Sequence, residues 1–248
     1  MRMIRRGTTL VELVVALILG SVVAGLFAQA VVVQRRSERA VARSIGAASA
    51  ADEATAMLAA VIARVSNADS LLVRGDTALE LRATVGVALA CHAASDTVVV
   101  SDTGVAAWWE SPPESGDAAD LADAAGNWTG SEIVAVSTRS SGGACGGAQR
   151  TLRLRTPRVA GDAPLVRVAR RRRFMLYRGG DGAWWLGERT CSYGDPVHCD
   201  AAQPVAGPLS PPPVGVRFVL GSAGTHRTVT IAATAGRVVR TLIVVLRP

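Results

Sequence analysis

The chain has 248 residues, room for one ordinary globular domain plus an appended segment. Hydrophobic residues make up 49% of it and aromatics only 4%, so a packed core is within reach but is built largely from Ala and Val. The formal charge of +7 is carried by 27 basic residues, all Arg, and suggests only a weak affinity for acidic surfaces such as lipid headgroups or nucleic acid. Three of those charges (Arg2, Arg5, Arg6) precede Gly7, so N-terminal processing there would leave about +4. Three scattered histidines, with no paired carboxylates and no Gly-x-Ser-x-Gly elbow, give no basis for an enzyme or a cofactor.

The chain opens as Met-Arg-Met-Ile-Arg-Arg-Gly, a basic leader over 1–7. From Leu13 to Val33 there are 21 consecutive uncharged residues, enough to cross a bilayer as a helix. The leader favours a cytoplasmic N-terminus, although Arg35, Arg36 and Arg39 follow the span. The apolar run is too long for a secretory signal, and the helical pattern continues beyond it. One carboxylate, Glu12, sits at its head, where a charge in the bilayer core would cost on the order of 2.5–3.5 kcal/mol and so calls for a partner.

Basic leader, Gly7, Glu12 at a fixed offset and a long apolar helix together resemble the entry motif of the type IV pilin-like family. The resemblance implies a prepilin cut between Gly7 and Thr8 by a membrane aspartyl peptidase, which also N-methylates Thr8. Members usually begin with Phe or Met, so Thr8 is a departure. It further implies that Glu12, fifth residue of the mature chain, pairs with the N-terminal amine of a neighbouring subunit. Two charges would then be neutralised within a bundle of apolar helices. The resemblance is specific over residues 1–35 and architectural beyond them.

After Val33 the sequence turns polar without a helix breaker, and no proline occurs before Pro112. Apolar residues at Val41, Ile45 and Ala48, then Leu58, Val61, Ile62, Val65 and Ala68, mark an amphipathic face. The spacing predicts one helix from about Thr8 to Asn67, roughly 90 Å long, with a possible bend in the Ala- and Ser-rich stretch over 46–56. Its membrane-spanning part covers 8–33 and its amphipathic extension 34–69.

Residues 70–248 read as a β-rich domain. Strands are expected at Ala78–Ala83, Thr97–Ser101, Glu132–Thr138, Gln149–Arg155, Arg173–Tyr177 and Ala183–Arg189, then at Val214–Leu220, Arg227–Ala232 and Arg237–Leu246. Ser140–Ala148 reads as a hairpin loop, and Ser111–Asn127 as an exposed loop whose carboxylates match no calcium-loop spacing. Cys91, Cys145, Cys191 and Cys199 allow three disulfide pairings, and Cys191 with Cys199 could staple a turn-rich loop. His92 and His198 beside cysteines make a metal site conceivable but not favoured. Arg170, Arg171, Arg172 and Arg173 read as a solvated sheet edge, with a nucleic-acid patch as the alternative. Each of the pairs Trp108-Trp109 and Trp184-Trp185 should expose one ring, a surface suited to partner subunits.

The expected fold is therefore α+β, a long N-terminal helix packed on a mainly antiparallel, pilin-like β domain. The resemblance points to a minor pilin or J-type minor pseudopilin of a type IV pilus or type II secretion system. Its expected partners are other pilin or pseudopilin subunits, prepilin peptidase and the bacterial inner membrane. It would be anchored there by a single pass before assembly and sit in a periplasmic or surface filament afterwards. The alternatives are a DNA-binding competence pilin and a plain signal-anchored extracytoplasmic domain.

Overall fold

The computed structural model describes residues 10–65, 71–74, 76–102, 104–123, 125–140, 143–156, 165–194, 199–224 and 226–246. Helix α1 runs from Leu10 to Ile62. Two compact units divide it, one reaching to Gly46 and the other spanning Ala47–Pro248.

In the second unit α1 buries Ala50, Ala51, Ala54, Leu58, Val61 and Ile62, an i, i+4, i+8 stripe of core-facing positions. The stripe starts later than the sequence pattern indicates, since Val41 and Ile45 remain 54% and 64% exposed. The helix also stops earlier than Asn67. Val65 leaves it to bridge Ala83, and the Thr84 N–H takes the Arg64 carbonyl at 3.2 Å. A backbone satisfied by a strand no longer needs the next helical turn.

Among the described residues thirteen strands follow, all paired antiparallel: β1 (Leu71–Arg74), β2 (Ala78–Ala94), β3 (Thr97–Ser101), β4 (Ala107–Trp109), β5 (Ala118–Ala122), β6 (Trp128–Arg139) and β7 (Gln149–Leu154). β8 (Leu165–Arg178), β9 (Trp184–Cys191), β10 (Gln203–Leu209), β11 (Val216–Ala223), β12 (His226–Ala235) and β13 (Val238–Val245) complete the set. The mainly antiparallel α+β expectation holds.

What the strand pattern did not convey is closure. β2 pairs β3, β3 pairs β7, β7 pairs β6, β6 pairs β5, β5 pairs β8, and β8 returns to β2. That ring encloses an apolar interior of Val85, Val98, Val100, Leu121, Ile133, Leu152, Val166 and Val168, among others. It closes because β2 and β8 are 17 and 14 residues long. The Ala83–Leu89 part of β2 and the opposing part of β8 serve the ring, while their other ends carry β1, β9 and β10 as an open sheet.

A register shift between Thr84 and Gly86 marks the handover. A Cβ on Gly86 would lie 1.9 Å from the Trp109 ring, so only glycine lets β4 lay that ring there. The open sheet buries Leu79, Leu81, Phe174, Leu176 and Leu186 in one core with the Ala47–Ile62 part of α1. The β11–β12–β13 sheet joins this core through Val216, Phe218, Val229 and Ile231. It is tied to the rest by Phe218 N–H to the Asp76 carbonyl at 2.7 Å and Ser210 N–H to the Thr234 carbonyl at 2.8 Å.

Two local expectations are corrected. The segment 111–127 is not an exposed loop throughout, because it contains β5, every residue of which is buried. Arg170–Arg173 is not an edge, because β8 is flanked by β2 on one side and by β5 and β9 on the other. If the helix stripe holds the second core together, Leu58→Ala should cost about 2–5 kcal/mol, whereas Val41→Ala should stay within about 0.5 kcal/mol. Denaturant titration of the full chain in micelles checks this, and equal midpoints for the two variants would contradict the packing.

Candidate functional site

The first candidate is the helix entry. Gly7 and Thr8 lie outside the described residues; Glu12 lies in the first turn of α1, exposed, where the helix dipole favours a carboxylate. Leu10 through Gly46 are all exposed. Among the described residues α1 is the one helix long and apolar enough to cross a membrane, with a mean hydropathy of 2.5 over its best 18-residue window. Its uncharged stretch Leu13–Val33 is about 30 Å long at 1.5 Å per residue, the thickness of a hydrocarbon core. A helix apolar on every side needs lipid or other helices around it.

The second candidate is the arginine run, and the structure changes its meaning. Alternation along β8 sends Arg170 and Arg172 to one face and Arg171 and Arg173 to the other. Arg170 grips Asp117 with two bonds of 2.9 Å and donates to the Pro112 carbonyl at 3.1 Å. Arg172 meets Glu188 at 3.3 Å. Arg171 and Arg173 take one oxygen each of Glu80, a carboxylate only 3% exposed, with Arg173 bonds of 3.0 and 2.7 Å. The four guanidinium groups that would meet phosphate are thus committed to carboxylates of neighbouring strands.

The pattern extends beyond the run. Asp120 on β5 receives Arg82 from β2 at 2.8 Å and Arg167 from β8 at 3.0 Å. Those two guanidinium groups lie over the Tyr193 and Trp128 rings, at 4.8 and 4.6 Å from their centroids. Arg155 holds Glu132 at 2.7 Å. Each pair links neighbouring strands or the residue just beyond a strand's end, so the arrangement holds register. Sequence reasoning missed Glu80, Asp117 and Asp120; the available signal was that four arginines inside a strand require buried acids opposite them.

The cysteines pair as Cys91–Cys145 and Cys191–Cys199, and no thiol is free. Of the three pairings the sequence left open, this one joins Cys191 to Cys199 across a separation of 8 residues. With both pairs oxidised, neither His92 nor His198 has a thiolate beside it; His198 itself lies outside the described residues. No group of three or more metal-ligating side chains occurs among the described residues. A polar cleft of about 310 Å³ beside the second bridge includes Glu114, Asp117 and Asp200, but Asp117 is already held by Arg170. Trp108 is 54% exposed while Trp109 packs against the ring interior, as alternation requires. Trp184 and Trp185 are both half-buried, so that pair exposes neither ring fully. An apolar membrane helix and two disulfides together suggest an anchored protein whose β-rich domain faces an oxidising compartment.

Burial pushes the Glu80 carboxyl up, but the hydrogen bonds and charges of Arg173 and Arg171 outweigh that and hold it below the usual glutamate range. A carboxylate whose folded-state value is depressed stabilises the fold above its unfolded value, about 4.3, and loses that contribution as pH falls through the lower folded value. Denaturant midpoints should therefore fall below about pH 4.3, and Glu80→Gln should flatten this acid limb while lowering the midpoint at pH 7. An unchanged acid limb in the variant would remove Glu80 from the register system. No family model, no curated protein and no solved structure matches this chain.

Proposed function

We propose that the chain is a structural subunit of a type IV pilin-like filament, a minor pilin or minor pseudopilin processed by prepilin peptidase. The observation that carries this reading is Glu12, five residues after Gly7, at the head of an uncharged helical stretch exposed on every side. Before assembly the lipid bilayer covers that stretch and Glu12 sits near its cytoplasmic boundary. In the filament neighbouring helices replace the lipid, and the new amine of Thr8 on one subunit neutralises Glu12 on the next. Burial makes the pairing selective, since a carboxylate without its amine among apolar helices would be strongly disfavoured. Function then comes from packing, with no turnover.

The β-rich domain supports this reading through its construction. It holds two disulfides, as suits a module that must stay folded outside the cytoplasm. Its exposed Trp108 lies beside Leu89 and Val105 on an apolar cleft of about 280 Å³, a surface of the kind partner subunits cover. The competence alternative, in which Arg170–Arg173 bind DNA, loses support because these side chains are held by Asp117, Glu80 and Glu188.

Intact-mass measurement of the membrane-extracted protein tests the proposal. The mature chain should begin at Thr8 and carry one added methyl group. Gly7→Leu should leave the leader attached. Glu12→Ala should be cut normally yet be lost from sheared filaments while remaining in the membrane fraction. A wild-type chain still beginning at Met1 would overturn the reading.

A further inference from the structure

Strand edges are the places where a sheet can accept another chain, and most edges in this protein are guarded. β1 and β4 are only four and three residues long. β10 carries Pro204 and Pro208 and two register shifts. β11 lends its Phe218 N–H to the Asp76 carbonyl. β13 has no proline and no register shift. It reads Val-Val-Arg-Thr-Leu-Ile-Val-Val, eight residues whose one charge is Arg240.

The backbone direction of β13 follows from its neighbours. The Leu246 N–H bonds the Arg227 carbonyl at 2.8 Å, and the Thr234 N–H turns to the Gly215 carbonyl and away from its register partner Val239. Antiparallel alternation then aims the N–H and C=O of Val239, Thr241, Ile243 and Val245 away from β12. Among the described residues no strand pairs with that side. Val239, Ile243 and Val245 are 56%, 62% and 53% exposed, and Val219 continues the apolar face across Thr230.

We propose that β13 pairs antiparallel with β13 of a second copy of this chain, across a twofold axis at Leu242. In that register Val239 faces Val245 and Thr241 faces Ile243, so every outward-aimed backbone group of both copies finds a partner, on the order of eight hydrogen bonds. Leu242 meets its own copy on the other face, and Arg240 stands opposite Val244. The two Arg240 side chains are offset by four residues along the strands, and each is held by its own Asp52 at 2.5 Å. The strand is therefore self-complementary in hydrogen bonds, apolar contact and charge, as an isologous interface must be. Joining the edges makes one continuous sheet from two three-stranded ones. The inference concerns the β-rich domain alone and stands whether or not the Gly7–Thr8 bond is cut.

The test is a cross-link with the full-length chain in detergent micelles, where the anchors impose no common direction. All four native cysteines are bridged, so a new thiol stands alone. Directly opposed residues of the non-hydrogen-bonded kind have Cα atoms about 4.5 Å apart, within disulfide reach. Mild oxidation of Leu242→Cys should yield a disulfide dimer at least about tenfold above that of the exposed control Val105→Cys. Adding Thr241→Pro removes an outward N–H without breaking a bond to β12, and should return the dimer to the control level while both native disulfides still form. Three results would overturn the pairing: a dimer no greater than the control, a dimer unaffected by Thr241→Pro, or an adduct of Leu242→Cys with a different protein.

Discussion

The pairing of β2 with β8 decides most of what the β-rich unit is. Two long strands lie against each other from Ala78–Met175 to Leu89–Leu165, with one register shift near Thr84. One half of this ribbon belongs to a closed ring and the other to an open sheet, so two hydrophobic cores share a single backbone spine. Loss of that pairing would open the ring and strip the open sheet from the Ala47–Ile62 helix face at once.

The ion pairs are placed on that same spine. Glu80 sits on β2 and Arg171 and Arg173 on β8; Asp120 draws Arg82 from β2 and Arg167 from β8. Buried ion pairs add little net stability over apolar packing of similar volume, but removing one partner leaves a costly uncompensated charge. Their effect therefore falls on register. A one-residue slip of β8 would carry Arg171 and Arg173 to the opposite face, leaving Glu80 dehydrated and alone. Arginine suits this task, since its planar fork can share one carboxylate between two donors from adjacent positions.

The legibility of the sequence follows the range of the interactions involved. The apolar span and Glu12 are local facts, read directly from consecutive residues. The strands Thr97–Ser101 and Gln149–Leu154, and the loop between β6 and β7, were visible because short alternating runs end at Gly and Ser. β5 was hidden because Ala118–Ala122 includes Asp120, whose burial depends on two arginines from strands far along the chain. β10 was hidden by Pro204 and Pro208, which are tolerated on an edge. Ring closure could not be read locally, because it depends on which distant strands meet. The arginine run was legible as a charged strand, but its environment was not, since its acids lie at positions 80, 117 and 188.

In the β-rich domain Arg82, Arg155, Arg167 and Arg170–Arg173 are matched to acids, the cysteines to each other, and the ring has no edge. Against that background two surfaces stand out: the uncharged face of Leu13–Val33, apolar on every side, and the open ladder of β13. Neither can be satisfied by the described residues of one copy. The first asks for apolar surroundings without direction, as hydrophobic burial does. The second asks for an extended backbone in one register, as hydrogen bonding does. The two demands differ in kind, since burial alone gathers apolar surfaces and only directional bonds fix how they are arranged.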